Sequence, residues 1–536
     1  MIEPPEVRRS WLPMVVIAAA QIMMSSNISA LPILIGGIVH DLDTPATTVG
    51  TAIVTYSLCV AGLIMLGAKL GSLLGSRLMF ALGAAGFGAA MVLMTISKSA
   101  QAMIVAQAIA GVSAAVLVPT LVVMIASTYD GRQREQAVGF LLAAHALGGV
   151  LALGVAGWLG AVASWRYPFA LLAMLAVIVI LASFVLKKIE RQSVQVDMTG
   201  VALSAAGITL ISLGFNAINS WGLIVAKSTA PFNIVGMSPA LPVVVLGIVL
   251  MQGFVMWSQR RKAAGKTPLL ALEVLDAAFK RYAVLSLFSI VAIDAAVNFL
   301  VPLYIQIVQG RTSLETSIAI VPYSLAIFAA SILVVRLYDV MSPQQIARYA
   351  FAIVAVGLTL LAFVIRNEWE TIVVIAALVV VGLAQGALLT LLFSVLLTSS
   401  PRRYAGDVGS LRGVTNNMGV GLGTAIAGAM VVGILSASIA TALVENPKIP
   451  TSLTDQVNLD NANFISNSFL KLVLEKTTAT PVQIAEVVRI NEDARLRSLK
   501  ICFFILATLA ALAVLPAGGL PGSGAGSSAK LVNDGE

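Results

Sequence analysis

The sequence predicts an all-α, polytopic membrane protein, and three observations carry that expectation. Of 536 residues, 59% are hydrophobic and only 11% are charged, whereas soluble domains carry about 25% charged residues. The excess apolar surface has to face lipid. Apolar runs long enough to cross a bilayer as helices recur from one end of the chain to the other. The basic residues fall into alternate loops between those runs, as the positive-inside rule requires.

Taken in order, about fourteen segments reach spanning length, at 12–37, 47–68, 77–97, 101–128, 137–159, 166–186, 199–217, 238–257, 282–309, 314–335, 347–365, 371–398, 409–437 and 499–516. Arg8, Arg9 and the core 11–20 imitate a signal peptide. The apolar run continues past signal-peptide length, so it reads as an uncleaved first span. With the N-terminus placed inside, the short inner loops hold Lys69, Arg77, Arg132, Arg134, Lys187, Lys188, Arg191, Arg260, Arg261, Lys262, Lys266, Lys280, Arg281, Arg336, Arg348, Arg402 and Arg403. The opposite short loops hold only Lys98, Arg166, Lys227, Arg311 and Arg366. Both termini are therefore expected in the cytoplasm. The formal net charge of +8 is absorbed by topology signals and contacts with membrane lipids, not by a nucleic-acid surface.

Two stretches are polar. Residues 438–498 read as an outer loop, with helix-like periodicity at 461–474 and 481–496, either a folded hairpin over the outer mouth or a mobile loop. The tail after Pro516 is Gly/Ser-rich, a composition expected to be disordered.

Covalent chemistry finds no support. Cys59 and Cys502 lie inside apolar runs and read as small core residues. His40 and His145 are the only histidines, so no metal cluster and no cofactor are expected. Gly265-Lys266-Thr267 has the end of a phosphate-binding loop, but Arg260 stands where its first glycine belongs. No nucleophile–base pair can be assembled, so the chain is not expected to be an enzyme. Energy has to come from a gradient or from a partner.

The most informative stretch is 282–310. Near its middle stands one carboxylate, Asp294, with Asn298 four residues on and Pro302 continuing the series along the same helical face. An ionised Asp facing lipid costs roughly 2.5–3.5 kcal/mol on insertion scales, so this face is expected to look into protein or a watery cavity. It marks either an ion or substrate path or a hydrogen-bonded structural acid. His145, Asn27, Gln107, Gln385, Asn416 and Asn417 are the further polar groups within spans, each either lining a cavity or bonding one helix to another. The 18 methionines suit an adaptable greasy pocket but are also ordinary membrane filler.

Paired signatures then point to a family. The segment 67–77, Gly-Ala-Lys-Leu-Gly-Ser-Leu-Leu-Gly-Ser-Arg, follows the second span, and Arg336-Leu337-Tyr338-Asp339 follows the tenth. Both resemble the loop that marks the major facilitator superfamily, with Ser72 in place of its Asp in the first copy and Asp339 keeping it in the second. Ser164-Trp165-Arg166-Tyr167-Pro168-Phe169 is similar to the start of span six in the fourteen-span drug:proton antiporters. So are 302–310 with Pro322, and Gly382-Leu383-Ala384-Gln385-Gly386 with Arg402, Arg403, Ala405, Gly406, Gly419 and Gly423. The resemblance implies two six-helix bundles plus two extra spans. The corresponding division is an N-terminal bundle at 1–190, linking helices at 191–265, five helices of the second bundle at 266–437, an outer loop at 438–498, the last span at 499–516 and a tail at 517–536. It also implies a cytoplasmic latch of Asp339 with Arg336 or Arg402, and Arg77 in the first copy.

Three of that family's coupling positions differ. Met23 stands where the family carries an Asp, Gln107 where it carries an Arg, and Ala152-Leu153 where it carries Gly-Pro. By resemblance, the expected function is export of hydrophobic, cationic small molecules against proton influx, by a monomer in the cytoplasmic membrane. Asp294 would take over coupling by binding either a proton or the substrate. Two alternatives stay open: a facilitator or symporter of another metabolite, and a non-transporting receptor on a transporter fold.

Overall fold

The computed structural model describes residues 9–129, 131–187, 197–222, 224–227, 230–233, 235–266, 268–270, 272–367, 371–399, 405–446, 470–471, 474–475 and 479–522. Among them, 13 helices are long and apolar enough to cross a membrane. A further 32-residue helix, Gly131–Val162, completes the expected set.

The chain opens with α1 (Leu12–Ile33), which breaks at Leu34 and resumes as a short α2 (Ile35–Asp41). There follow α3 (Ala46–Leu74), α4 (Ser76–Ile96), α5 (Ala100–Thr128), α6 (Gly131–Val162) and α7 (Tyr167–Ala182). A hairpin of α8 (Met198–Trp221) and α9 (Ala240–Ala263) leads to the second half. That half contains α10 (Ala278–Leu303), α11 (Ser313–Leu333), α12 (Pro343–Val364), α13 (Thr371–Thr398), α14 (Ala405–Glu445) and α15 (Pro481–Leu512).

The two halves pack alike. In the first, α1 lies on α6, α3 on α5, and α4 on both α5 and α7. In the second, α10 lies on α14, α11 on α13, and α12 on both α13 and α15. The pairing of first with fifth, second with fourth, and third with fourth and sixth helix is therefore repeated. Between the halves the contacts are reciprocal: α3 meets α14, and α6 meets α11. This is the arrangement of a parallel structural repeat around a central axis.

The linking hairpin packs through α8 on α3 and α14, and so covers one of the two seams. Buried Asp197 caps α8: its Oδ1 accepts from Gly200 N at 3.0 Å and Trp257 Nε1 at 2.9 Å, with Arg261 Nη1 at 3.4 Å. One carboxylate thereby ties the start of α8 to the end of α9.

Two boundaries differ from the sequence expectation. α15 begins at Pro481, where Thr480 and Gln483 form a capping box, so the last helix projects well beyond the apolar run that starts near 499. Residues 447–469 of the expected outer loop lie outside the described residues. The start of the Gly-rich tail is ordered: Gln344 N donates to Pro521 O at 3.3 Å, and Gln344 Nε2 to Gly518 O at 2.5 Å, tying it to α12. The rest, 523–536, lies outside the described residues.

Candidate substrate and proton site

Asp294 stands mid-way along α10, and glycines on neighbouring helices place its partners. Behind it, α14 comes so close to α10 that a β-carbon at Gly423 would lie 2.2 Å from Ala292 O. In front, α11 and α13 touch backbone to backbone, since a β-carbon at Gly386 would lie 2.2 Å from Ile327 O. That approach brings Gln385 to Tyr323. Tyr323, 2% exposed, donates its hydroxyl to Asp294 Oδ1 at 2.6 Å and lies within hydrogen-bonding reach of Gln385 Oε1. Asn298 Nδ2 donates to the same Asp294 oxygen at 2.9 Å and to Asp294 O at 3.0 Å.

Asp294 and Asn298 thus share a face, and three helices of the second half converge on one carboxyl. Among the described residues no Lys, Arg or His forms an ion pair with it. Beside it Val297, Asn298, Val301, Ile320, Tyr323 and Leu378 line a crevice too narrow to admit a water molecule. Tyr323 escaped the sequence reading. Its one signal is a hydroxyl in an apolar span directly after Pro322; its convergence with Asp294 depends on the glycine contacts.

The other amides are placed differently. Asn27 and Gln107 are fully buried and pair reciprocally, Asn27 Nδ2 donating to Gln107 Oε1 at 2.9 Å and Gln107 Nε2 to Asn27 Oδ1 at 3.1 Å. They bond α1 to α5 beside buried Met94, and Met23 is likewise buried. His145 on α6 is exposed and hydrogen-bonds Gln21 of α1 through Nδ1 at 3.1 Å. Asn416 is exposed on α14, while Asn417 Nδ2 donates to Gly413 O at 2.9 Å.

In the expected latch, Arg77 stacks over Phe184 at 5.4 Å and Arg336 is exposed. The Asp339 side chain and Arg402 lie outside the described residues. A cation the sequence reading passed over is Arg412, two turns into α14. Its guanidinium sits 3.9 Å over the Phe393 ring of α13.

At the end of the bundle away from the N-terminus, the halves are joined. The break between α1 and α2 leaves carbonyls and an N–H without helical partners. Gln306, in the π-helical turn Tyr304–Val308 after Pro302, supplies them from the other half. Its Nε2 donates to Ile33 O at 2.9 Å and Pro32 O at 3.3 Å, and its Oε1 accepts from Gly36 N at 2.8 Å. Nearby, a β-carbon at Gly157 of α6 would lie 2.2 Å from Ser317 Oγ of α11. In the first half, Asp41 accepts from Trp165 Nε1 at 2.9 Å and pairs with Arg166, whose Nη2 donates to Ser97 O at 2.8 Å. The Arg166 hydrogen bond, above all, holds the Asp41 carboxyl below the usual carboxylate range. This explains the Ser-Trp-Arg motif: it clasps α2, α4 and α7 together.

Two repeated six-helix halves, a polar group at the interior of one of them, and contact across the repeat interface define a secondary transporter. Residues 15–427 match the Major Facilitator Superfamily, and the chain belongs to it. It is 25% identical over 459 residues to the "Probable actinorhodin transporter" of Streptomyces coelicolor, covering 83% of this chain and 76% of that protein. It is 24% identical over 512 residues to the "Multidrug efflux pump LfrA" of Mycolicibacterium smegmatis, covering 95% and 96%. Its fold is similar to that of a bacterial homologue of the human lysosomal transporter Spinster, inward-facing and occupied, with a TM-score of 0.60 and 13% identity over 94% and 95% of the two chains. An autoinhibited peptide transporter of the POT family gives 0.60 at 13% identity, covering 95% and 96%.

Proposed function

We propose that this transporter exports hydrophobic compounds, cationic ones among them, in exchange for protons, by rocking its two halves about the central axis. The observation that carries this reading is Asp294: a carboxyl within a membrane helix, held by Tyr323 and Asn298 and paired with no base among the described residues. Val301, Ile320 and Leu378 line the closed crevice beside it, an apolar surround for a greasy cargo once the halves part. A carboxyl so placed binds a proton or a cation, one excluding the other, and that exclusion is what exchange requires. Relatives named for antibiotic transport, antibiotic resistance and multidrug efflux support the direction. The proposal sets both termini on the cytoplasmic side of the cell membrane, as the basic loops indicate. The joined end is then the outer one.

The test is uptake of lipophilic cations into inside-out vesicles, with and without a pH gradient. Wild type is expected to concentrate them only with the gradient, and Asp294→Asn to lose that dependence while still equilibrating substrate. Undiminished gradient-driven uptake by Asp294→Asn would overturn the reading. A second reading, a facilitator of another metabolite, draws on one observation: Gln107, where antiporters carry Arg, is closed in a neutral pair with Asn27. It predicts equilibration without any gradient effect in wild type.

A further inference from the structure

The inference concerns how the Asp294 site registers its proton, and it rests on the reading just given. Tyr323 has one hydroxyl proton and two oxygen acceptors in reach, Asp294 Oδ1 at 2.6 Å and Gln385 Oε1. A phenol donates a single hydrogen bond, so it serves one of them at a time. Gln385 is fully buried, and its Nε2 has no partner among the described residues. An unsatisfied buried amide is costly.

Two arrangements give the Tyr323 hydroxyl one donor and one acceptor role, and the second also gives Gln385 Nε2 a partner. With Asp294 neutral, its carboxyl O–H donates to Tyr323 O, and Tyr323 donates to Gln385 Oε1. With Asp294 ionised, Tyr323 donates to the carboxylate, and the Gln385 amide makes a half-turn so that Nε2 donates to Tyr323 O. The proton stays on or leaves Asp294; every other change is a reversal of hydrogen-bond polarity along one chain. We propose that Gln385 is a positioning residue that reads the protonation of Asp294 through Tyr323, its amide reversing each time the carboxyl gains or loses its proton.

The placement favours this over a purely structural amide. The Gly386 contact fixes α13 against α11, so the amide turns in place without moving either helix. The Tyr323 hydroxyl then donates to one neighbour and accepts from the other in both states, which lets a site closed to water hold either one.

The other ionisable groups on helices touching α10 are few. α1 and α13 contribute none among their described residues. α14 contributes Asp407 and Arg412, the latter stacked on Phe393. α15 contributes Glu486, Arg489, Glu492, Asp493, Arg495, Arg497, Lys500 and Cys502, α2 His40 and Asp41, and α11 Glu315 and Tyr323. The turns flanking α10 contribute Glu273, Asp276 and Tyr304, and α10 itself Lys280, Arg281 and Tyr282 near its start. Tyr323 is the one among them that hydrogen-bonds Asp294.

The test is an infrared pH titration of the purified full-length protein, following the carboxylic acid band that Asp294→Asn removes. Tyr323→Phe deletes a donor to the ionised form, so the midpoint of that band is expected to rise by about one pH unit or more, the size of one charged hydrogen bond. Gln385→Met, nearly isosteric, is expected to abolish an amide band that titrates together with the acid in wild type. Gln385→Glu, which as a carboxylate only accepts, is expected to raise the Asp294 midpoint. An unmoved midpoint in Tyr323→Phe, or no amide band titrating with the acid, overturns the inference while Asp294 keeps its role. An acid band that persists in Asp294→Asn instead defeats the underlying reading of Asp294.

Discussion

Replacing Gln306 with Leu is expected to release the joined end of the transporter. The side chain makes three hydrogen bonds across the two halves: to Ile33 O at 2.9 Å, to Pro32 O at 3.3 Å and from Gly36 N at 2.8 Å. Each contributes about 0.5–1.5 kcal/mol net. Leucine keeps most of the volume but leaves the broken end of α1 and the start of α2 without partners. The conformation with this end closed should lose about 2–3 kcal/mol relative to the one with it open, a shift of roughly 30- to 150-fold in their ratio. Spin labels on Asp43→Cys and Arg311→Cys, one on each side of the seam, report that ratio as a distance distribution. The variant is expected to show a longer distance as the major population where wild type shows the shorter. An unchanged distribution would refute the assignment of this amide as the clasp.

Three further outcomes follow from the same contacts. Asn27→Leu and Gln107→Leu each strand a buried amide and should destabilise by about 1–3 kcal/mol, while the double variant should cost less than the sum; strict additivity in detergent thermal unfolding would dismiss the pairing. Gly386→Val drives a side chain into Ile327 O, 2.2 Å from the β-carbon position, and should cost about 1–3 kcal/mol or more, read as a lower melting temperature and loss of monodisperse protein. The Asp41 carboxyl is held below its usual range by Arg166. Its folded-state affinity for protons is therefore lower than in the unfolded chain, so its contribution is present at neutral pH and lost as pH falls below the ordinary value of 3.8. Wild type and Asp41→Asn should accordingly differ in melting temperature at pH 7 and converge in strong acid; a difference that persists there would contradict the pairing.

The spans were legible because lipid imposes one rule along the whole chain: backbone polar groups must be satisfied within a helix. That rule places Asp294 and Asn298 on one face of α10 from spacing alone, and their hydrogen bond at 2.9 Å follows. What spacing does not carry is which helix faces them. Tyr323 reaches Asp294, and Gln385 reaches Tyr323, because glycines on α13 and α14 allow backbone contact, and a glycine in a sequence does not name its neighbour. The same holds for Gln306, an ordinary-looking amide whose partners lie some 270 residues away at 273 and 274 positions' separation. Helix ends were the least legible, because α15 continues through polar sequence from Pro481, where hydropathy gives no signal and the capping box does.

The most direct measurement is proton release from the purified protein on addition of a lipophilic cation, in weak buffer near neutral pH. If Asp294 holds a proton or cargo but not both, wild type acidifies the solution as it binds, and Asp294→Asn binds without acidification. Equal proton release from both proteins would show that the proton comes from elsewhere, and the exchange mechanism proposed for this site would be wrong.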